Sequence, residues 1–292
     1  MIDEQRQQLD EAQQGEDQEK ATISLEKVKK LAGRRTDVDL VRDAQGRVAI
    51  YTVPDKSFEL PPQMTRGSRP LDWSPDHGRL MFVSNPEQPH LFEWVVATGE
   101  VRQLTSGRGM EIDGGYGPDG AIVWVAYEET GPSSGTRLWV RDPGEPPREI
   151  TSGPADTQPV WSPDGKRIVY TQYDERFGYV LRWVSPDGSE RGDLGVGRAA
   201  SYSPDGEWIV YSAQSGGGWQ LRRMRADGSG KRPFGHSGFI ENDPSYSPDG
   251  RFVVFSANGS KSTPITRLFV RSVEDEKDRQ LEFSGSGIVP VW

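Results

Sequence analysis

Residues 161–170 read Trp161-Ser162-Pro163-Asp164-Gly165-Lys166-Arg167-Ile168-Val169-Tyr170, and the phrase recurs along the chain. It returns as Trp73-Ser74-Pro75-Asp76, Tyr116-Gly117-Pro118-Asp119-Gly120, Tyr202-Ser203-Pro204-Asp205-Gly206 and Tyr246-Ser247-Pro248-Asp249-Gly250, so five copies stand at steps of 43, 45, 41 and 44 residues between their aromatics. A further 46 residues lead from Tyr246 to Trp292, where a sixth copy begins. Pro pre-sets φ at the first turn position, Asp suits the second, and Gly takes the left-handed position that follows. Each phrase therefore predicts a hairpin tip followed by a returning strand. His77 stands before Gly78 in the first copy and reads as lengthening that turn by one residue; Gly117 replaces Ser in the second.

The residues after each turn fit the returning strand: Leu80–Val83, Ile122–Val125, Ile168–Tyr170, Ile209–Tyr211 and Phe252–Phe255 are unbroken apolar runs. Such runs suit strands covered on both faces. Third strands follow, as in Leu91–Val95 and Leu268–Val270, and outer strands after them, as in Val101–Thr105. Self-similarity at this period, one four-stranded sheet per repeat, predicts a β-propeller. The repeated aromatic is expected to pack between blades. At the ends, Val38–Val41, Val48–Val53 and Phe58–Leu60 supply three strands, and Ile288–Trp292 supplies an inner strand with nothing after it. Joined in one blade they predict an all-β, six-bladed ring of four-stranded antiparallel blades, closed by strands from both termini.

The repeat at 161–170, with the later endings Leu104-Thr105 and Ile150-Thr151, resembles the TolB-type propeller repeat, itself akin to the WD40 repeat. No Trp-Asp pair occurs, so it departs from the WD type proper. The resemblance covers residues 36–292 and lacks the small α/β domain that precedes the propeller in TolB. It implies a cell-envelope protein in the periplasm or otherwise outside the cytoplasm. It also implies a mature fragment from which an export signal or lipid anchor has been removed, since no signal peptide is read in the chain.

Residues 1–35 differ from the rest. Residues 1–20 are rich in Gln, Glu and Asp, the profile of a polar tether, and residues 22–32 predict a short amphipathic helix. Thr22 or Ser24 would cap it, Leu25, Val28 and Leu31 would share one face, and Gly33 would stop it. The expected division is thus a tether and helix over 1–35 and one propeller over 36–292, with the tether as a candidate anchor.

Only 33% of the residues are hydrophobic and mean hydropathy is −0.71, yet 28 aromatic side chains supply much of the buried area. There is no cysteine, which excludes disulfides, thiol catalysis and Cys-based zinc sites. A net charge of −9 without a basic cluster argues against nucleic acid as a partner. The apolar runs are too short to span a bilayer as a helix. The three histidines, His77, His90 and His236, fall in separate loops with no metal-ligand spacing. Gly235-His236-Ser237-Gly238 misses the nucleophile-elbow frame, and Gly228-Ser229-Gly230-Lys231 lacks the first glycine of a phosphate loop. No catalytic residue, metal site or cofactor is therefore assigned.

What remains is a set of polar residues in the links entering the inner strands, which chain direction places on the face opposite the Pro-Asp-Gly turns: Arg66, Arg69, Glu111, Asp113, Asp156, Arg198, Glu241, Asn242 and Asp243. They are expected at the mouth of the axial channel. Tyr173, Phe177 and Trp219, in loops between second and third strands, add aromatic surface on that face. Carboxylates here either cap loop backbone or bind a ligand. The expected function is a non-enzymatic, monomeric module, binding a protein or peptide of the envelope at the mouth. The alternative is a saccharide- or peptide-cleaving hydrolase or lyase using mouth carboxylates as acid and base.

Overall fold

In the computed structural model the described residues are 68–84, 89–107, 109–128, 134–216, 218–235, 240–260 and 263–281, together with the strand backbones of 38–42, 48–52 and 57–59. Five antiparallel four-stranded blades follow one another. Blade 1 is β4 (Arg69–Trp73), β5 (Arg79–Ser84), β6 (His90–Val95) and β7 (Val101–Gln103). Blade 2 is β8 (Met110–Tyr116), β9 (Ile122–Glu128), β10 (Gly135–Arg141) and β11 (Arg148–Glu149). Blade 3 is β12 (Asp156–Trp161), β13 (Ile168–Asp174), β14 (Gly178–Val184) and β15 (Arg191–Val196). Blade 4 is β16 (Arg198–Tyr202), β17 (Trp208–Ser215), β18 (Gly218–Arg225) and β19 (Arg232–Pro233). Blade 5 is β20 (Ile240–Tyr246), β21 (Phe252–Ser260), β22 (Thr263–Ser272) and β23 (Asp278–Gln280).

The expected six-bladed ring is corrected to five blades. The N-terminal strands β1 (Val38–Arg42), β2 (Val48–Thr52) and β3 (Ser57–Glu59) form a three-stranded sheet that, among the described residues, pairs only within itself. The strand that closure would require, 288–292, lies outside the described residues, as does the expected helix over 22–32. No helix occurs among the described residues.

The cores lie between blades. Tyr116, Ile122 and Trp124 of blade 2 pack with Met81, Val83 and Leu91 of blade 1, while Val123 and Val125, alternating with them, pack with Trp161, Ile168 and Tyr170 of blade 3. Blade 4 repeats this: Ile209 and Tyr211 join Val169 and Leu181 of blade 3, and Val210 joins Tyr246 and Phe255 of blade 5. Alternate residues of a strand point to opposite faces, so a strand flanked by two blades needs apolar residues at every position. The repeated aromatics Tyr116, Trp161, Tyr202 and Tyr246 all sit in these inter-blade cores.

Each turn is held by its own side chains. Ser162 Oγ donates to Asp164 Oδ1 at 2.6 Å and accepts from Arg167 N at 2.9 Å, while Lys166 N donates to Asp164 Oδ1 at 3.1 Å. Ser74, Ser203 and Ser247 repeat the pattern. In the first three of these turns the serine hydroxyl is the main cause holding Asp76, Asp164 and Asp205 below the usual carboxylate range. The first turn is not lengthened. His77 itself takes the left-handed conformation (φ 54°) that Gly165 takes (φ 71°), and Arg79 N reaches Ser74 Oγ as Arg167 N reaches Ser162 Oγ. A further copy, Ser185-Pro186-Asp187-Gly188, forms the β14–β15 turn, where three donations from Ser185 and Ser189 bring Asp187 down to about 2.

Candidate functional site at the inner-strand entrances

The five inner strands β4, β8, β12, β16 and β20 share one irregularity. Three residues before the repeated aromatic, Asp113 (φ 47°), Gln158 (φ 51°), Ala199 (φ 50°) and Asp243 (φ 49°) are left-handed, each inside the register slip of its strand. In β4 the slip falls between Pro70 and Asp72, with Pro70 at the equivalent position, where the proline ring forbids a positive φ. A left-handed residue with a Cβ costs about 1–2 kcal/mol, and bulges re-aim side chains that a regular strand would bury. Four such residues in register make the entrance to the inner strands a place where the fold carries strain.

The charges gathered there come from several blades. Arg69 Nη2 donates to Asp113 Oδ1 at 2.5 Å, joining blades 1 and 2, and Arg198 Nη2 donates to Asn242 Oδ1 at 2.6 Å, joining blades 4 and 5. Burial pushes the Asp243 carboxyl above its ordinary value; Arg198 and Arg69 pull it down and the Asp113 charge pushes it further up. Asp243 therefore lies within the electrostatic reach of groups from blades 1, 2 and 4. From blade 3, Gln158 Oε1 accepts from Thr171 Oγ1 at 3.2 Å, and that hydroxyl accepts from Ala199 N at 3.1 Å. The convergent charges among the described residues are two arginines and two aspartates, with the Asn242 amide beside them.

The other three expected carboxylates turn away from this cluster. Glu111, Asp156 and Glu241, each five residues before the aromatic, are buried. Glu111 Oε2 pairs with His90 Nδ1 of blade 1 at 2.8 Å. Asp156 Oδ1 accepts from Gln172 Nε2 at 2.6 Å, and burial raises its carboxyl while bonds from Thr151 and Gly153 oppose the rise. Glu241 Oε2 accepts from Leu221 N of blade 4 at 3.0 Å, and its Oε1 accepts from Arg271 Nη2 at 2.8 Å.

The role of Glu241 follows from a local change in the repeat. In blades 1 and 2 the threonine ending the outer strand accepts from the third-strand leucine: Leu91 N to Thr105 Oγ1 at 3.0 Å, Leu138 N to Thr151 Oγ1 at 2.9 Å. Blade 4 ends Phe234-Gly235 instead, and the Glu241 carboxylate supplies the missing acceptor. A Cβ on Gly235 would stand 2.1 Å from Glu241 Oε2, so the glycine makes room for it. Arg271, fully buried, then balances the charge between Glu241 and Asp278 and also donates to the Phe234 carbonyl.

Tyr173 and Phe177 are exposed and Trp219 is half-buried; Arg66 and His236 lie outside the described residues. Two residues escaped the sequence reading. Tyr179 faces Tyr173 across the β13–β14 hairpin, with ring centroids 5.4 Å apart, and the alternation Tyr173-x5-Tyr179 around a short turn was the available signal. Asp72 Oδ2 accepts from Tyr116 N at 2.8 Å, and desolvation pushes its carboxyl up to about 7. Ser201 does the same for Tyr246 N at 3.1 Å, so the residue before the aromatic stitches one inner strand to the next. Among the described residues no three His, Cys, Asp or Glu side chains stand together where they could hold a metal ion, and no helix is long and apolar enough to cross a membrane.

No protein-family model matches the chain. An 80-residue stretch is 38% identical to the Tol-Pal system protein TolB of Anaeromyxobacter dehalogenans, covering 25% of this chain and 18% of that protein. Among solved structures, TolB from Acinetobacter baumannii superposes with a TM-score of 0.74 at 18% identity, over 87% of this chain and 65% of that one. A putative TolB from Agrobacterium tumefaciens gives 0.69 at 22% identity, over 87% and 92%. Stacked four-stranded sheets with inter-blade cores define the class, a β-propeller. Within that class the chain is similar to these TolB propellers, spanning less than two thirds of the first of these structures and under a fifth of the matched curated relative.

Proposed function

We propose that this propeller is a non-enzymatic module of the cell envelope that holds a protein or peptide at the entrance to its inner strands. The observation that carries the reading is the convergence of Arg69, Asp113, Arg198, Asn242 and Asp243 from four blades, with Asp113 and Asp243 on left-handed backbone. The cluster offers donors and acceptors side by side, which is what an extended peptide backbone needs. The resemblance to TolB supports an extracytoplasmic location. The test is affinity capture from envelope extract with the native chain and with the Asp113→Ala/Asp243→Ala double variant. A protein retained by the first, lost from the second and released by salt supports the reading. Equal retention by both removes this entrance as the binding site.

A second reading rests on one observation. Asp243 has a raised carboxyl and lies in the field of Asp113, itself paired with Arg69, and two carboxyls in unlike environments can divide acid and base roles. Turnover of oligosaccharide or peptide substrates that disappears in Asp243→Asn would favour a hydrolase or lyase.

A further inference from the structure

Blades 1 and 4 fill one group of equivalent positions with opposite charge. In blade 1, Glu93 stands in β6 two residues after Leu91, opposite Arg102 of β7. Its Oε2 accepts from the Tyr116 hydroxyl of blade 2 at 2.8 Å and from Arg79 Nη1 at 3.3 Å, and Arg102 Nη1 lies 4.0 Å from its Oε1. In blade 4, Arg223 stands in β18 two residues after Leu221, opposite Arg232 of β19. Trp208, five residues after the turn serine Ser203, takes the place of Arg79, five after Ser74. Tyr246 of blade 5 takes the place of Tyr116. Among the described residues the Glu93 carboxylate has no counterpart there.

Buried polar atoms are left over as a result. Arg223 is 7% exposed and Tyr246 5%, and neither Arg223 Nε nor the Tyr246 hydroxyl has a hydrogen-bond partner. The two stand close: burial pushes the Tyr246 hydroxyl up to about 12, and the Arg223 charge pulls against that rise. The Trp208 and Phe234 rings lie 4.5 and 5.2 Å from the guanidinium carbon. Rings can stack on a guanidinium, but its N–H groups lie in its own plane and need acceptors there. The neighbouring carboxylates are engaged elsewhere. Glu276 pairs with Arg232 at 2.8 Å, Glu207 with Arg225 at 3.0 Å, and Asp205 accepts from the Ser203 hydroxyl and Glu207 N. Asp205 feels the Arg223 charge without pairing with it.

We propose that Arg223, Tyr246 and Arg232 form an anion site between blades 4 and 5 that takes a carboxylate, as a small organic acid or as an acidic side chain of a partner. Blade 1 shows the chemistry: one carboxylate accepts from a tyrosine hydroxyl and from arginine together. A planar carboxylate matches the guanidinium fork, and charge-assisted bonds of this kind are the strong ones. The terminal nitrogens of Arg223 are not among the buried unpartnered atoms, so a ligand can meet them from solvent. A buried donor without an acceptor destabilises the free protein, so the group that supplies one gains on binding. The argument rests on unpartnered atoms and not on net charge, and it is independent of what the inner-strand entrance binds.

The probe is sodium acetate, titrated into the full isotope-labelled chain and read by NMR at the arginine Nε–Hε resonances, with sodium chloride at matched ionic strength as control. The Arg223 signal is the one lost in both Arg223→Lys and Arg223→Glu. It should shift saturably with acetate in the millimolar range and not with chloride. Tyr246→Phe removes only the hydroxyl and should weaken acetate by about three- to tenfold, the effect of one hydrogen bond. Arg223→Glu rebuilds the blade 1 arrangement, so its melting temperature should ignore acetate while that of the native chain rises. No saturable shift, an equal shift with chloride, or an acetate response retained by Arg223→Glu overturns the proposal. Binding of inorganic phosphate where acetate fails also overturns it. An acetylated and amidated Gly-Glu-Gly peptide that binds more tightly than acetate supports the site with a partner side chain as the source. Weaker binding of that peptide supports it with a small acid.

Discussion

Two sets of carboxylates stand within a few residues of each other on the inner strands and do different work. Asp113 and Asp243 sit at the bulge, in left-handed backbone, facing arginines from other blades. Glu111, Asp156 and Glu241 sit two residues earlier, buried, bonded to groups of their own or the preceding blade. The first set is strained and placed among charges; the second satisfies backbone and side-chain donors that would otherwise be buried alone. A two-residue offset on one strand therefore separates carboxylates gathered at the strand entrance from carboxylates buried against their own or the preceding blade.

The largest expected effect belongs to the second set. Glu241→Ala strands the Leu221 N–H and removes one of two carboxylates from a fully buried Arg271. Breaking a buried pair from one side costs about 3–5 kcal/mol, which chemical denaturation will measure. Gly235→Thr does not rescue that loss, because a Cβ there also stands 3.0 Å from the Leu221 backbone N and 3.1 Å from its carbonyl oxygen.

Asp72 gives a pH signature. Its folded pKa is about 7 against an ordinary 3.8, so the native state holds an extra proton between those values. Stability from this group is greatest below about 4, falls as pH rises toward 7, and is level above. Asp72→Asn can keep the acceptor for Tyr116 N and removes the titration, so the difference should shift in its favour by up to about 4 kcal/mol across that window. A constant difference from pH 4 to 8 contradicts the assignment.

Smaller still is the turn. Ser162→Ala removes a hydroxyl that accepts from Arg167 N and donates to Asp164, and should cost about 1–2 kcal/mol. Gly117→Ser, which writes the same hydroxyl into blade 2, should give no matching gain, because a Cβ there stands 3.1 Å from the Trp161 ring.

The blades were legible because the Pro-Asp-Gly turn and the doubly apolar second strand are local signals with local causes. The ring count was not, since the expected sixth blade rested on pairing two distant ends of the chain, a contact that no nearby residue encodes. His77 misled because the left-handed position is recognised by its usual glycine, while the backbone here accepts histidine. The entrance was legible as a list of polar residues and no further. Whether a carboxylate faces the cluster or the neighbouring blade depends on the bulge between them, and on what ends the outer strand of the previous blade. Phe234-Gly235 in place of a Thr ending was the visible clue that Glu241 is an acceptor. Tyr179 was hidden for a similar reason: its partner Trp219 comes from the next blade.

The most direct test sets the two kinds of carboxylate against each other in one experiment. Asp113→Ala/Asp243→Ala and Glu111→Ala/Glu241→Ala are compared for thermal stability and for capture of envelope protein. The first pair loses a half-buried ion pair, so it should melt closer to the native chain than the second pair does, and capture nothing specific. The second should melt markedly earlier and, below its transition, still capture. The reverse pattern, early melting with intact capture for the aspartate pair, would contradict the division of roles on the inner strands.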